Sequence, residues 1–427
     1  MIALVMAVLL IVLIAVRVPV SFAILGAGLA GLALQLSVGA GLGVLEAIPV
    51  GSVQSLSLSA IPLFILMAHL MLMSGMMDSL FNAGRTMFGR IPGGTGIAST
   101  AAGVGFAAIS GSSTAAAATL AETTSKRMID EGYRPTTATG IVASVGTLGG
   151  MIPPSVILVF YAVTAETSVG DMIVAGLVPG LIIAAALLAA MLLPALRDPS
   201  RMPRGERSSW LTKIKAILEA LPIAVVFLAV VGLIYFGIVT PTESAAIGCL
   251  VAALLVAIRG RMTVTGLVDA VIDSVKSSAM IFAIVIAAHV FGYAFAQTKV
   301  AASMVTWIEG LPVPPIAIML ALLVMYIVLG FFMDQVAIIA LTVPIVLPLV
   351  ETIGYDVIWF GVFVVLMGEI GLISPPLGLN VFVVARATGR DTVEVFRGAA
   401  PYAVAMVIVA IGFILWPDVV TWLPDSR

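Results

Sequence analysis

A run of five residues, Ser110-Gly111-Ser112-Ser113-Thr114, interrupts apolar sequence on both sides. Hydroxyl and carbonyl oxygens are the ligands that hard cations prefer. The apolar flanks, 95–109 and 115–128, each hold about fifteen residues, whereas a transmembrane helix needs about 20. We therefore predict a re-entrant helical hairpin over 95–128, with its tip in a protein-lined cavity inside the membrane and in contact with Na+. Alone, such a run is also typical of close helix packing through small residues.

Two proline pairs form the second group of candidates, because proline forces the residue before it out of the helical region. Each pair should break a helix inside the membrane, with carbonyls suited to Na+ at one new end and N–H groups suited to a carboxylate at the other. The predicted cation contacts at the breaks are Gly149, Gly150, Gly371 and Ser374. The residues predicted to contact that carboxylate, as the substrate, are Pro153, Pro154, Ser155, Pro375, Pro376 and Asn380.

The second half of the chain adds a tip with an acidic residue. Asp334 aligns with Thr114 and follows Gly330. Ionisable residues at membrane depth are costly and usually functional. We therefore predict that Gly330 and Asp334 contact a second cation, separate from the one at the first tip. Asp334 is also predicted to contact the carboxylate substrate. The alternatives are a hydrogen-bonded hinge for Asp334 and a helix cap for Asn380. Glu369 lies deepest among the other acidic residues of the apolar segments.

Two histidines occupy equivalent positions in the third span of each half, at His69 and His289. A proton relay is one interpretation, since histidine titrates near neutral pH. A packing role is favoured, because neither residue aligns with a tip.

Composition defines the class of protein and excludes several functions. The chain has 427 residues, of which 61% are hydrophobic and 10% charged, values that predict an all-α polytopic membrane protein. The single cysteine, Cys249, excludes an internal disulfide or cysteine cluster. Phosphate-loop and HExxH motifs are absent from the sequence. We expect no enzymatic activity, no cofactor, no transition metal and no nucleic-acid partner.

The proline and glycine pattern occurs twice, about 222 residues apart, as in the pairs Pro19/Pro241 and Pro179/Pro401. This predicts two repeats, at 1–196 and 221–427, joined by a linker at 197–220. Each repeat has a re-entrant hairpin (95–128 and 315–350) and a broken helix (136–166 and 357–386). The other predicted spans are 2–16, 20–36, 60–78, 172–194, 221–239, 241–258, 277–297 and 399–416. Five crossings per repeat make the second repeat inverted.

Charge placement predicts the orientation in the membrane. The linker from Arg197 to Lys215 carries six basic and two acidic residues, and basic loops stay in the cytoplasm. Both termini are then periplasmic. Two connecting stretches, 39–59 and 263–277, suit either helices lying in the membrane interface or short irregular connectors.

Four segments carry a resemblance to a known family. They are IPLFILMAHLM (61–71), GFAAISGSSTAAAATL (105–120), GGMIPPSVILVFYA (149–162) and GLISPPLGLNVFV (371–383). Together they resemble the large membrane subunit, or DctM family, of tripartite ATP-independent periplasmic (TRAP) transporters, over essentially the whole chain.

This resemblance implies an elevator-type transporter of the inner membrane, in which a domain with both hairpins and both broken helices slides against a scaffold. It further implies uptake of an organic acid anion coupled to Na+, a small four-helix membrane subunit (DctQ-like) and a periplasmic binding protein (DctP-like). A stand-alone Na+- or H+-coupled carboxylate symporter of the same superfamily remains an alternative. A scaffold subunit without its own pathway is disfavoured, since it would not need two polar breaks.

Overall fold

Helices form the entire regular structure of the part of the chain that the computed structural model describes, residues 1–197, 203, 208–310 and 312–426. The prediction of an all-α membrane protein is confirmed. The helices of the first half are α1 (Ile2–Ala15), α2 (Val20–Gln35), α3 (Val38–Val53), α4 (Ala60–Met73), α5 (Met76–Phe88), α6 (Gly94–Ser110), α7 (Ser113–Leu120), α8 (Lys126–Asp130), α9 (Pro135–Gly146), α10 (Leu148–Met151), α11 (Val156–Thr164), α12 (Val169–Ala175) and α13 (Leu177–Arg197).

The second half follows a similar order. Its helices are α14 (Trp210–Phe227), α15 (Leu233–Tyr235), α16 (Pro241–Ile258), α17 (Val264–Gln297), α18 (Val300–Glu309), α19 (Pro315–Gly330), α20 (Gln335–Thr352), α21 (Val357–Leu372), α22 (Leu379–Thr388), α23 (Thr392–Leu415) and α24 (Asp418–Asp425). Helices α7 and α20 begin 222 residues apart, and so do α9 and α21. The helix starts therefore follow the spacing of the sequence repeat.

Seven helical segments of the described residues are long and apolar enough to cross a membrane, or eight if the bent pair formed by 135–151 and 156–164 counts as one span. That pair bends by 45° at its break. The sequence predicts ten crossings, but α1 and α2 have only 14 and 16 residues. Conversely α20, an arm of the second predicted hairpin, is long enough to span by length and composition.

The span predicted at 60–78 ends earlier in the structure. Helix α4 stops at Met73, and Gly75 adopts a left-handed conformation with φ of 65° before α5 begins. This left-handed conformation is the reason for glycine at position 75. Helix α5, which carries Asp78 and Arg85, is absent from the sequence prediction.

The two connecting stretches are helical rather than irregular. The first contains α3 and a 3-10 turn at Leu56–Ser59. The second is the first part of α17, a single helix of 34 residues, which is roughly 50 Å long. The prediction of a separate helix at 263–277 is therefore wrong.

The predicted linker at 197–220 also differs from the structure. Helix α14 begins at Trp210 and continues through a π-helical turn, Leu228–Gly232, to α15. The first span of the second repeat thus begins eleven residues before the predicted position 221. Linker residues 198–202 and 204–207 lie outside the described residues, as does Arg427.

Helix α21 lies at the centre of the protein, since every residue from Trp359 to Leu372 is buried. Apart from Glu369, its sequence is apolar on all sides, as a fully enclosed helix requires. Other helices cross it or each other closely through small residues. Where α9 meets α23, a Cβ on Gly140 would lie 2.2 Å from the carbonyl carbon of Gly398. This crossing fixes the first broken helix against the last long helix.

Candidate functional site

The first tip is a two-residue turn between α6 and α7. Gly111 has φ of 56°, and a Cβ there would lie 2.6 Å from the carbonyl oxygen of Pro154. The Ser112 hydroxyl caps α7 by accepting from the N–H of Ala115 at 3.4 Å, and it lies 3.4 Å from the Thr114 hydroxyl. The N–H of Ser112 donates to Ser110 Oγ at 3.4 Å. The tip is therefore a compact, hydroxyl-rich turn pressed against the first break.

The first break packs against this tip on its other side. A Cβ on Gly149 would lie 2.7 Å from the carbonyl carbon of Ser112. Ser155 Oγ donates to the carbonyl of Gly150 at 2.7 Å and accepts from the N–H of Leu158 at 3.3 Å. The break contains a cis Pro153-Pro154 bond, and its residues are buried.

The second tip differs from the first in length and character. Four residues, 331–334, separate α19 from α20, and Phe332 is 62% exposed. Asp334 caps α20 by accepting from the N–H of Ala337 at 2.8 Å. Since Ser112 and Asp334 both cap the second arm of a hairpin, Asp334 corresponds to Ser112. The alignment of Asp334 with Thr114 is thus wrong by two residues, because the second tip is longer.

The second break meets its tip where two glycines approach closely. A Cβ on Gly371 would lie 2.7 Å from the carbonyl oxygen of Gly330. Ser374 Oγ donates to the carbonyl of Ile370 at 2.7 Å, one turn back in the same segment. Pro375 and Pro376, joined by a cis bond, are exposed.

A cavity of about 440 Å³ lies between the two tips, α4 and α17. The predicted residues that line it are Ser110, Gly111, Ser112, Ser113, Thr114 and Asp334. The other predicted residues do not line it: Gly149, Gly150, Pro153, Pro154, Ser155, Gly330, Gly371, Ser374, Pro375, Pro376 and Asn380. Four helix N-termini, those of α7, α11, α20 and α22, begin beside the cavity or one residue from its lining. Its wall can therefore offer hydroxyls, one carboxylate and backbone N–H groups.

Asn380 does not line this cavity. Its side chain is fully buried, and Nδ2 donates to the carbonyl of Ala143 on α9 at 3.3 Å. The amide therefore joins the two broken helices to each other. Among the described residues, Oδ1 of the same amide is buried and has no hydrogen-bond partner.

Comparison with known proteins identifies the family. The sequence profile described as "Tripartite ATP-independent periplasmic transporter, DctM component" matches residues 7–419. The chain belongs to the DctM family. This DctM chain is 33% identical over 371 residues to the C4-dicarboxylate TRAP transporter large permease protein DctM of Pseudomonas aeruginosa, covering 86% of each chain. It is 29% identical over 409 residues to the sialic acid TRAP transporter large permease protein SiaM of Vibrio cholerae, covering 95% of each.

A solved structure shares the fold of the DctM chain. The YdaH transporter of Alcanivorax borkumensis superposes with a TM-score of 0.57, covering 88% of this chain and 89% of that one. Sequence identity is 15%, so this likeness concerns the fold alone. The prediction of a TRAP transporter large subunit is confirmed by the family match.

Three further residues of the DctM chain have environments that the sequence did not specify. His69 lines the cavity between the tips, although its position aligns with neither tip. His289 lies in a second cavity of about 320 Å³ and is 2.8 Å from the Ser52 hydroxyl. Glu369 of α21 accepts a hydrogen bond from Ser113 Oγ at 2.6 Å. The sequence feature that could have identified Glu369 is the presence of an ionisable residue within an otherwise apolar segment.

Proposed function

We propose that this chain carries an organic acid anion across the bacterial inner membrane, driven by Na+, together with a small membrane subunit and a periplasmic substrate-binding protein. The observation that supports this most directly is the cavity bounded by both tips and by helices α4 and α17. In secondary transporters with inverted repeats, substrate and ion sites lie at the repeat interface near the membrane midplane. Residues from both repeats meet in this cavity.

The distribution of contacts supports an elevator movement. Helix α17 packs along α2, α3 and α4, and α4 packs against α16. The tips and breaks also pack against one another, as α7 does with α9 and α22, and they meet the first group where α20 packs against α17 and α6 against α4. The cavity lies along the boundary between these two groups. We infer that the tips and breaks move together while the group containing α2, α4, α16 and α17 stays fixed in the membrane.

The chemistry of the lining supports coupling between cation and anion. None of the described residues that line the cavity is lysine or arginine. An anion there has available the hydroxyls of the first tip, the N–H groups of helix N-termini and the charge of a bound cation. Hydroxyl and carbonyl oxygens at each tip and break suit Na+. Substrate would then bind best when Na+ is already present, which is what coupled uptake requires.

The substrate class follows from the volume and the lining. About 440 Å³ lies within the range of small-molecule sites, roughly 300 to 1,000 Å³. A dicarboxylate, a 2-oxo acid, a sugar acid and an acidic amino acid all fit this description. The relatives above are named for C4-dicarboxylate and for sialic acid, so the family accommodates acids of different sizes.

The orientation is part of the same proposal. The basic residues of the linker place it in the cytoplasm, and both termini would then face the periplasm. The periplasmic binding protein would deliver substrate to that face.

The test is uptake into proteoliposomes containing this chain and its small partner, assayed for several radiolabelled organic acids. We expect uptake to require both an inward Na+ gradient and the binding protein. Unchanged uptake when choline replaces Na+ at constant pH would contradict the coupling. Uptake without the binding protein would instead favour a stand-alone symporter.

A further inference from the structure

Glu369 is the only buried acidic or basic side chain among the residues that the structure describes. It lies in the central helix α21 with 0% exposure. Burying an ionised carboxylate is costly unless the charge is paired and hydrogen-bonded. Its immediate contacts therefore determine what the residue does.

One carboxylate oxygen of Glu369 contacts the first tip and the first break together. Oε1 accepts the hydrogen bond from Ser113 Oγ at 2.6 Å. A Cβ on Gly150 would lie 1.8 Å from the same oxygen, so the carboxylate occupies space that only glycine leaves open. The second repeat thus inserts a carboxyl group between two residues predicted to bind the first cation.

The other oxygen, Oε2, is buried and accepts no hydrogen bond from the described residues. The amide of Gln335 interacts with the carboxylate group, and one of its two N–H groups donates to the carbonyl of Val365 at 2.8 Å. An unpaired carboxylate oxygen beside a hydroxyl is a ligand for a hard cation.

The Ser113 hydroxyl is oriented for the same task. Its proton points to Glu369 Oε1, so its two lone pairs remain available to a cation. The serine and the carboxylate can then bind one cation together. The first tip and break contain no charge of their own, unlike the second tip with Asp334.

We propose that Glu369 supplies a carboxylate ligand to the Na+ ion held between the first tip and the first break. The charge of this site comes from the second repeat, whereas its hydroxyls and carbonyls come from the first. This inference rests on the proposed Na+ coupling. It makes binding of the first cation dependent on the position of α21.

The experiment measures Na+ binding to the purified full chain in lipid nanodiscs, by 22Na+ scintillation proximity and by the Na+-dependent rise in melting temperature. Glu369→Gln keeps the shape and leaves an amide oxygen to accept from Ser113, but removes the charge. We expect the Na+ concentration for half-saturation to rise by about tenfold or more. The melting temperature in choline should not change. Glu122→Gln is the matched control, because Glu122 is exposed and lies in the first hairpin, whose tip holds Ser113, and this variant should bind Na+ like the wild type.

The outcomes separate this inference from the proposed function. If the wild type shows no Na+ binding and no stabilisation, the coupling fails and the role of Glu369 fails with it. If the wild type binds Na+ and Glu369→Gln binds it equally well, Glu369 is only a hydrogen-bond acceptor and the inference is overturned. Should Glu369→Gln not fold, Glu369→Asp decides: weaker Na+ binding at an unchanged choline melting temperature supports the proposal, and unaltered affinity overturns it.

Discussion

The two tip-and-break regions follow the same pattern along the sequence but differ in enclosure. At the first, Gly149 packs on the backbone of Ser112, and the proline pair is buried. At the second, the tip is two residues longer, Phe332 projects outward, and the proline pair is exposed. A duplicated sequence pattern has thus produced one enclosed and one more exposed region.

The source of charge differs in the same way. The first region has hydroxyls of its own and contacts the carboxylate of Glu369 from the other repeat. The second has its own carboxylate, Asp334, which also caps α20. We expect the first cation to bind with an enclosed, multi-residue ligand set and the second to depend on one acidic side chain.

The largest expected effect is at Gly149. The Cβ of Gly149→Ala would lie 2.7 Å from the backbone of the first tip. The tip must shift to remove this steric clash. Overpacking costs about 1–3 kcal/mol, which at its upper end corresponds to a roughly 100-fold loss of Na+-driven uptake. Uptake by reconstituted protein is the measurement.

Two matched variants sharpen this prediction. Gly371→Ala makes a similar contact with Gly330, but the open second tip can move, so we expect a loss of about tenfold. Gly412→Ala has no atom within 4 Å of its new methyl group and should behave as the wild type. Equal losses at Gly149 and Gly371 would show that the two regions are equally rigid.

The next effect is at Asp334. Asp334→Asn preserves a good helix cap but removes the charge, so we expect about a tenfold rise in the Na+ concentration for half-maximal uptake. The control is Asp356→Asn, since Asp356 caps α21 through the N–H groups of Ile358 and Trp359 at the exposed end of that helix. If the Na+ dependence of Asp334→Asn is unchanged, Asp334 caps helix α20 and does not bind the cation.

Much of this arrangement could be predicted from local sequence. Proline and glycine determine backbone geometry where they occur, so the second hairpin, predicted at 315–350, closely matches α19 and α20. Hydropathy located most of the long helices. The register of the second tip was missed because an insertion of two residues leaves no composition signal, and only the caps at Ser112 and Asp334 reveal it.

Other features depend on residues far apart in the chain. Ser113 and Glu369 are 256 positions apart, and nothing in either segment specifies their contact. Asn380 was predicted to face substrate because it follows a break, yet it donates to Ala143. Helix α5 was missed because its polar residues lower the hydropathy that identifies spans, although a partly exposed helix tolerates them.

The smallest effect compares the serine hydroxyls within the two breaks, Ser155 after its proline pair and Ser374 before its own. Ser155 Oγ donates across the break to the carbonyl of Gly150 and caps α11 through the N–H of Leu158. Ser374 Oγ donates only to the carbonyl of Ile370, which also accepts from the N–H of Ile373 at 3.2 Å. Ser155→Ala removes a cap and leaves a buried carbonyl without this donor, a loss of about 1–3 kcal/mol of stability. Ser374→Ala should change stability by less than about 0.5 kcal/mol, as for substitutions that leave no buried group unpaired.

Thermal unfolding of both variants in the same detergent measures the difference. Equal destabilisation would mean that the open break depends on its hydroxyl as much as the closed one does, and the contrast between the two regions would then concern charge alone.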